Sequence, residues 1–403
     1  MPIKFKSKIA CVALLLLGCN FVNAQEGAYS SYSPYSIFGM GDICRQGTAY
    51  NLSMGGTGIA SRNHRFINYL NPAAITARDT LSFMMDFGLV GEGKLYKQGD
   101  IKSASNLLNI SNVAFTVPIY KKSAFVAGIS PYSSMGYDFS HDITDPSLIG
   151  SVGNINYRSY GEGGVYQIFA GGAATFWNKL SVGAQFLYYF GNIDKSTIMN
   201  FSESSYRDVY SGYILNLNAI GGNFGVQYEQ ALPSGLSLTV GATYKTSSKL
   251  KGYVTDYKYA TVSSVTDTLK YKTDTLSHGS NVKLASEYGV GIALKKGDRW
   301  RAEFNYTRSD WRNSNLENVI GFANAGDAKF STTYSQSFRA GFEIVPNPND
   351  IRYYMRRCSY RAGAYYNRDY YKLDGKDVNS FGITLGITFP VFRWYNGVSI
   401  GVD

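Results

Sequence analysis

Residues able to do acid–base, nucleophilic or metal chemistry are few and scattered in this chain. It has three histidines, His64, His141 and His278, and four cysteines, Cys11, Cys19, Cys44 and Cys358. None of them neighbours another at the spacing a zinc site needs. Ser, His and acidic residues form no hydrolase motif, and His141 and His278 fall in expected loops. Gly39-Met40-Gly41 and Gly55-Gly56-Thr57-Gly58 look superficially like phosphate loops. A phosphate loop needs a buried strand before it and a helix after it, and in the Walker form a Gly-Lys-Ser/Thr ending. Both stretches lack these, so tight backbone packing accounts for them. Lys283/Glu287 and Arg339/Glu343 are acid–base pairs that would suit either a conduction path or the ordinary charges of a wet barrel interior. The expectation is a protein that is not an enzyme, with no cofactor and no metal.

The composition asks for a large β-structure to hold these residues. Of the 403 residues 17% are charged, 44% are apolar and 15% are aromatic, with 43 Gly and 34 Tyr. The net charge is +10, but Lys and Arg form no block of the kind that binds nucleic acid. Residues 1–24 read as an export signal. Lys4, Lys6 and Lys8 precede an apolar stretch too short to span a bilayer, and Val22-Asn23-Ala24 fits the cleavage rule. Leu16-Leu17-Gly18-Cys19 is a rival site, a lipobox with Cys19 lipidated. Cleavage after Ala24 removes three Lys and no acid, leaving +7. It also leaves only Cys44 and Cys358, too few for a disulfide framework.

Alternation with a period of two carries the fold argument. Phe381, Ile383, Leu385, Ile387, Phe389 and Val391 alternate with Ser380, Gly382, Thr384, Gly386, Thr388 and Pro390, as for a strand between two solvents. The pattern recurs over residues 180–190, 236–244, 282–294 and 330–344, in segments of about ten residues, the length of a tilted membrane strand. Tyr188, Phe190 and Tyr244 suit an interfacial girdle. Tight turns are expected after even strands, at 121–122, 178–179, 233–235, 296–298, 346–350 and 394–397. Long loops are expected after most odd ones, such as 192–205, 256–277 and 312–327. Outer-membrane barrels show that asymmetry, with short turns in the periplasm.

Residues 25–79 do not alternate, and an irregular stretch of that length before a barrel would sit inside it as a plug. Tyr35-Ser36-Ile37-Phe38-Gly39-Met40-Gly41-Asp42, Met54-Gly55-Gly56 and Asn71-Pro72-Ala73 resemble the FadL/TodX family of outer-membrane transporters for hydrophobic molecules. Residues 131–137, Pro-Tyr-Ser-Ser-Met-Gly-Tyr, add to the likeness. The resemblance implies an all-β fold, a fourteen-stranded transmembrane antiparallel β-barrel (residues 80–403) with an N-terminal hatch (residues 25–79). It implies a bacterial outer-membrane channel for passive uptake of hydrophobic compounds such as fatty acids, whose partners are membrane lipid and the apolar ligand. It also implies an alternative, a docking or assembly component of a protein-secretion system.

Gly39, Gly41, Met54, Gly55, Gly56, Asn71, Pro72 and Ala73 are the candidate hatch residues, with residues 71–73 expected at the periplasmic mouth. Pro131 gives no N–H to a ladder, and Gly136 is a second place for a strand to bend. The resemblance implies a kinked third strand that opens the wall, so Pro131, Tyr132 and Gly136 are the candidate lateral opening. The chain stops soon after Val398, Ile400 and Val402, which predicts thirteen strands, a truncated barrel and a gap beside the first strand.

Overall fold

Alternating residues pair edge to edge into an antiparallel sheet whose outer face is apolar. The structure is a computed structural model that describes residues 31–78, 83–120, 122–203, 205–262, 265–276, 281–322, 328–392 and 396–403. The expected export signal and Cys19 lie outside these residues. Six long strands follow one another: β1 (Met84–Gln98), β2 (Ile101–Tyr120), β3 (Ser123–Asp142), β4 (Ile155–Phe176), β5 (Leu180–Phe201) and β6 (Asp208–Leu232). Next come β7 (Leu236–Lys245), β8 (Lys251–Val262), β9 (Val265–Thr275), β10 (Glu287–Lys296) and β11 (Trp300–Asp310). The chain ends with β12 (Phe330–Thr332), β13 (Tyr334–Ile344), β14 (Ser359–Leu373), β15 (Lys376–Phe392) and β16 (Asn396–Val402).

Three staves of the wall are each broken in two. β6 pairs with β7 over its second half and with β8 over its first. β7 pairs on with β10, and β8 with β9. β12 and β13 both lie along β14. Counted this way the described residues form thirteen staves, as expected. Among the described residues no ladder joins β16 to β1, so the sheet is not closed.

The two faces differ as a membrane barrel requires. On β5, Val182, Phe186 and Tyr188 are exposed while Ser181, Gln185 and Tyr189 are buried. On β6, Phe224, Val226 and Tyr228 face out, and Asn223 and Gln227 face in. Apolar residues on the outer face and amides on the inner face suit lipid outside and polar packing within.

The loop expectations need correction. After the first strand, an odd one, no long loop follows: β1 and β2 run on to a tight turn at Gly99, whose φ is +59°. Residues 192–201 continue β5, and the expected 256–277 loop is largely the β8–β9 hairpin. Every side chain of β9 that is described from Val265 to Asp274 is exposed. Where water bathes both faces, alternation has no force behind it and gives no sign of a strand. The asymmetry between the two ends lies in strand extension as much as in loop length. At the short end, Trp177 and Asn178 both adopt positive φ, the geometry of a tight hairpin turn.

Candidate functional site: the seam beside the third strand

β3 keeps its full ladder with β4 on one side and loses its ladder with β2 on the other. Pairing with β4 runs from Ser123 to Asp142, with a bulge between Pro131 and Ser133. The extra residue is Tyr132, whose ring meets Tyr189 edge-on at 4.8 Å. Pairing with β2 stops at Val113–Ile129, short of Pro131. Above that point the N-terminal segment takes the place of β2: Asp42 pairs with Ser134 and Ile43 with Ser133.

Hydrogen bonds hold this insert on both lips of the seam. Ser33 N–H donates to the Gly136 carbonyl at 2.7 Å, and Gly136 N–H donates to Ser36 Oγ at 3.1 Å. Cys44 N–H reaches the Tyr132 carbonyl at 2.9 Å, and the Gln46 amide reaches the Pro131 carbonyl at 2.7 Å. On the opposite lip, Tyr96 donates to the Tyr32 carbonyl at 3.0 Å, and Tyr32 and Ser103 share a hydrogen bond at 2.8 Å. Glycine is required at the contact. A Cβ on Gly136 would overlap the Ser31 carbonyl, and one on Gly41, where φ is +87°, would overlap that of Ser134. The Cys44 thiol lies 3.6 Å from Ser134 Oγ, and burial pushes its pKa up to about 11.

Farther along, the segment rests on the inward-facing side chains of the wall. Gly55 (φ +71°) sits over the Ala340 and Ala364 carbonyls, where an added Cβ would lie 2.7 and 2.8 Å from them. Arg339 donates to the Gly56 carbonyl at 3.2 Å. Met54 is fully buried. Asn71 caps a 3₁₀ turn, accepting from Ala73 N–H at 3.0 Å, with Pro72 at its first position. Its amide donates to the Ile59 carbonyl at 2.7 Å. Pro72 and Ala73 lie against Gly183, near the Trp177–Asn178 turn at the short end of the wall. Replacing Gly55 with alanine is expected to cost several kcal/mol, because strain at positive φ adds to two backbone overlaps. A smaller drop in thermal unfolding temperature than that of Gly297→Ala, a positive-φ glycine with open space around it, would refute this.

Of the polar residues that anchor the segment, Arg339 and Glu343 were singled out from sequence, and Arg301, Glu303, Lys195 and Arg361 were not. Arg301 donates to Tyr50 Oη, to Ser61 Oγ at 3.2 Å and to the Arg62 carbonyl at 3.2 Å. It also lies 3.7 Å from Glu343. Glu303 accepts from Ala60 N–H at 2.9 Å, and Lys195 donates to the Ile37 carbonyl at 2.8 Å. The Arg361 guanidinium covers the stacked Tyr50 and Phe66 rings. The signal was there: Arg301, Glu303 and Asn305 alternate with Trp300, Ala302 and Phe304. The expected pairs within one strand do not form. Glu287 pairs with Lys245 at 2.8 Å, its cross-strand partner, and Glu343 pairs with Arg301.

Above the anchors the interior is aromatic. Phe38 stacks on Phe330 at 5.8 Å, Trp311 packs on Tyr370 at 4.8 Å, and Met40 and Phe322 are fully buried. Tyr370 donates to the Gly41 carbonyl at 3.1 Å. Among the described residues no three His, Cys, Asp or Glu side chains converge as a metal site would need. His64 lies 4.0 Å from Asp298, and burial lowers its pKa. His141 packs on Tyr157.

Residues 6–403 match the BamG family over nearly the whole chain. The chain belongs to the BamG family. No curated protein matches it. Among solved structures, BamG-family architecture as seen here resembles the toluene transporter TbuX of Ralstonia pickettii, at 14% identity and a TM-score of 0.52 over 87% of this chain and 90% of that one. It also resembles the monoaromatic hydrocarbon channel CymD, at 14% identity and 0.53 over 90% and 92%. A Pseudomonas aeruginosa FadL homologue gives 10% identity and 0.56 over 89% of each chain. The likeness to FadL and TodX proteins therefore holds at the level of the fold.

Proposed function

We propose that this BamG-family chain is an outer-membrane channel for hydrophobic molecules, with residues 31–78 as its hatch and the seam beside β3 as its lateral exit. The observation that carries this reading is the missing β2–β3 ladder above Ile129, filled by two residues of a separate segment. A two-residue bridge withdraws at far lower cost than a full ladder, and the wall then opens toward lipid without unfolding. The packed aromatic side chains above the hatch make the interior there apolar, which suits an apolar ligand. The solved neighbours support the reading through their fold, TbuX being a toluene transporter and CymD a monoaromatic hydrocarbon channel.

The test locks the seam. Ile43→Cys with Ser133→Cys, in a Cys44→Ser background, joins register partners by a disulfide. Oxidation is expected to cut uptake of radiolabelled toluene or oleate by about tenfold or more, with recovery on reduction. Unchanged uptake in the locked form rules out a lateral exit there.

The filled interior favours a second reading, docking or assembly in a secretion system. Met40 and Phe322 have no exposure, and Tyr370 has 2%. On that reading the unlocked protein takes up neither compound, and its loss disturbs other exported proteins instead.

A further inference from the structure

A groove of about 880 Å³ lies on the outer wall across β4, β5, β6 and β8, one strand over from the seam, since Glu162 and Gly164 pair with Gly136 and Ser134 of β3. Gly163, Gly164, Gly191 and Gly252 lie among its lining residues, where an added Cβ would overlap the neighbouring strand's backbone. Its walls carry polar groups just beyond Tyr166, Tyr188 and Phe190. Glu162 and Asp194 are register partners across the β4–β5 ladder. Two like charges placed opposite each other destabilise a sheet. Among the described residues neither has a basic partner, and Asp194 accepts only the Ser196 hydroxyl, at 2.9 Å. Asn192 and Asn216 are likewise register partners and present carboxamides into the hollow. Tyr166 and Tyr253, 42% and 53% exposed, flank them with aromatic faces. Directly along the wall, Ile168, Phe186 and Ile220 form an exposed apolar surface.

We propose that this groove binds a saccharide ring, uncharged or amine-bearing. Carboxylates and amides in one hollow accept and donate to vicinal hydroxyls, and tyrosine faces suit the C–H face of a sugar. The two carboxylates repel a phosphate headgroup, which sets the class apart from an anionic phospholipid. The opposed acid pair gains partners when hydroxyl or ammonium donors arrive, offsetting its own repulsion. The apolar surface along the wall would hold the acyl chains if the sugar is borne by a lipid. This site stands independently of the channel reading.

The test uses the full chain in nanodiscs of phosphatidylglycerol with a minor fraction of glucosyl diacylglycerol, and counts retained lipid by native mass spectrometry. Wild-type protein is expected to retain the glucosyl lipid above its bulk share. Asn192→Leu with Asn216→Leu, both outward-facing, removes two amide partners and is expected to weaken retention by about tenfold to thirtyfold. Glu162→Gln keeps the shape and is expected to give a smaller loss. Titration with methyl glucoside separates the sources. Binding of the free sugar as tightly as the glycolipid assigns the ligand to solution, and binding of the glycolipid alone assigns it to the leaflet. Retention of both lipids at their bulk ratio, or a double variant that binds like wild type in both arms, overturns the proposal.

Discussion

Gly136→Val is expected to unseat the N-terminal segment from the seam while leaving the β3–β4 ladder in place. The new Cβ would overlap the Ser31 carbonyl, so residues 31–36 must move. Moving them breaks three hydrogen bonds: Ser33 N–H to the Gly136 carbonyl, Ser36 Oγ to the same carbonyl, and Gly136 N–H to Ser36 Oγ. At about 1 kcal/mol each, the released form gains on the order of 100-fold in population before any steric strain is added. Cys44 reports the change. Its pKa near 11 leaves roughly one thiol in a thousand ionised at pH 8, against about a quarter for a free thiol. Its rate with a charged thiol reagent should therefore rise by about two orders of magnitude on release. Cys358 is fully buried and supplies the internal control. A Cys44 rate equal to that of wild type, in a variant whose barrel still resists heat in detergent, means that the seam is not held by these contacts. On the channel reading the same variant takes up apolar compounds faster.

The seam and its insert differ in how well a linear sequence could reveal them. Pro131 was legible because a missing N–H is a property of the residue itself, whatever its neighbours. The insert was not, because Asp42 and Ile43 are two residues in a glycine-rich stretch and no period can be read from two. The outer face of β15 was legible because lipid enforces it. Phe381 and Ile383 are 85% and 72% exposed, while Thr384 between Ile383 and Leu385 is buried. β9 was lost because Thr, Lys, Asp and Tyr in water obey no alternation. The anchor cluster was half legible. Parity places Arg301 and Glu303 inside, but which carboxylate meets which guanidinium depends on register and on the segment that crosses the lumen. Sequence spacing suggested Arg339 with Glu343, whereas cross-strand neighbourhood joins Arg301 to Glu343.

Arg301→Met is expected to be the most destabilising single change in the interior. The guanidinium is 7% exposed and serves Tyr50, Ser61, Arg62 and Glu343 together. Removing Arg301 leaves the Glu343 carboxylate with only the Tyr50 hydroxyl, at 3.2 Å, and the nearby Arg361 charge, at a cost of about 3 kcal/mol. The loss falls on the segment more than on the wall, because β11 keeps its main-chain ladders to β10 and β13. Trypsin should therefore cut at Arg62 and Arg65 in the folded barrel before its heat-induced mobility shift changes. A second substitution separates the ion pair from simple packing. Glu343→Leu in the Arg301→Met background removes the orphaned carboxylate, and an apolar pair of similar volume is often close to neutral. Recovery of most of the lost stability in the double variant is the expected result. If the double variant is as unstable as the single one, the cost lies in the lost contacts to Tyr50 and the 61–62 backbone, and the ion pair carries little of it. The Gly136 and Arg301 variants also separate two roles for the segment. If Gly136→Val frees Cys44 without exposing Arg62, and Arg301→Met exposes Arg62 without freeing Cys44, the segment is a fixed floor with a releasable edge. Release of both ends by either substitution would make it a single rigid plug, and a seam that opens alone would then have no physical basis.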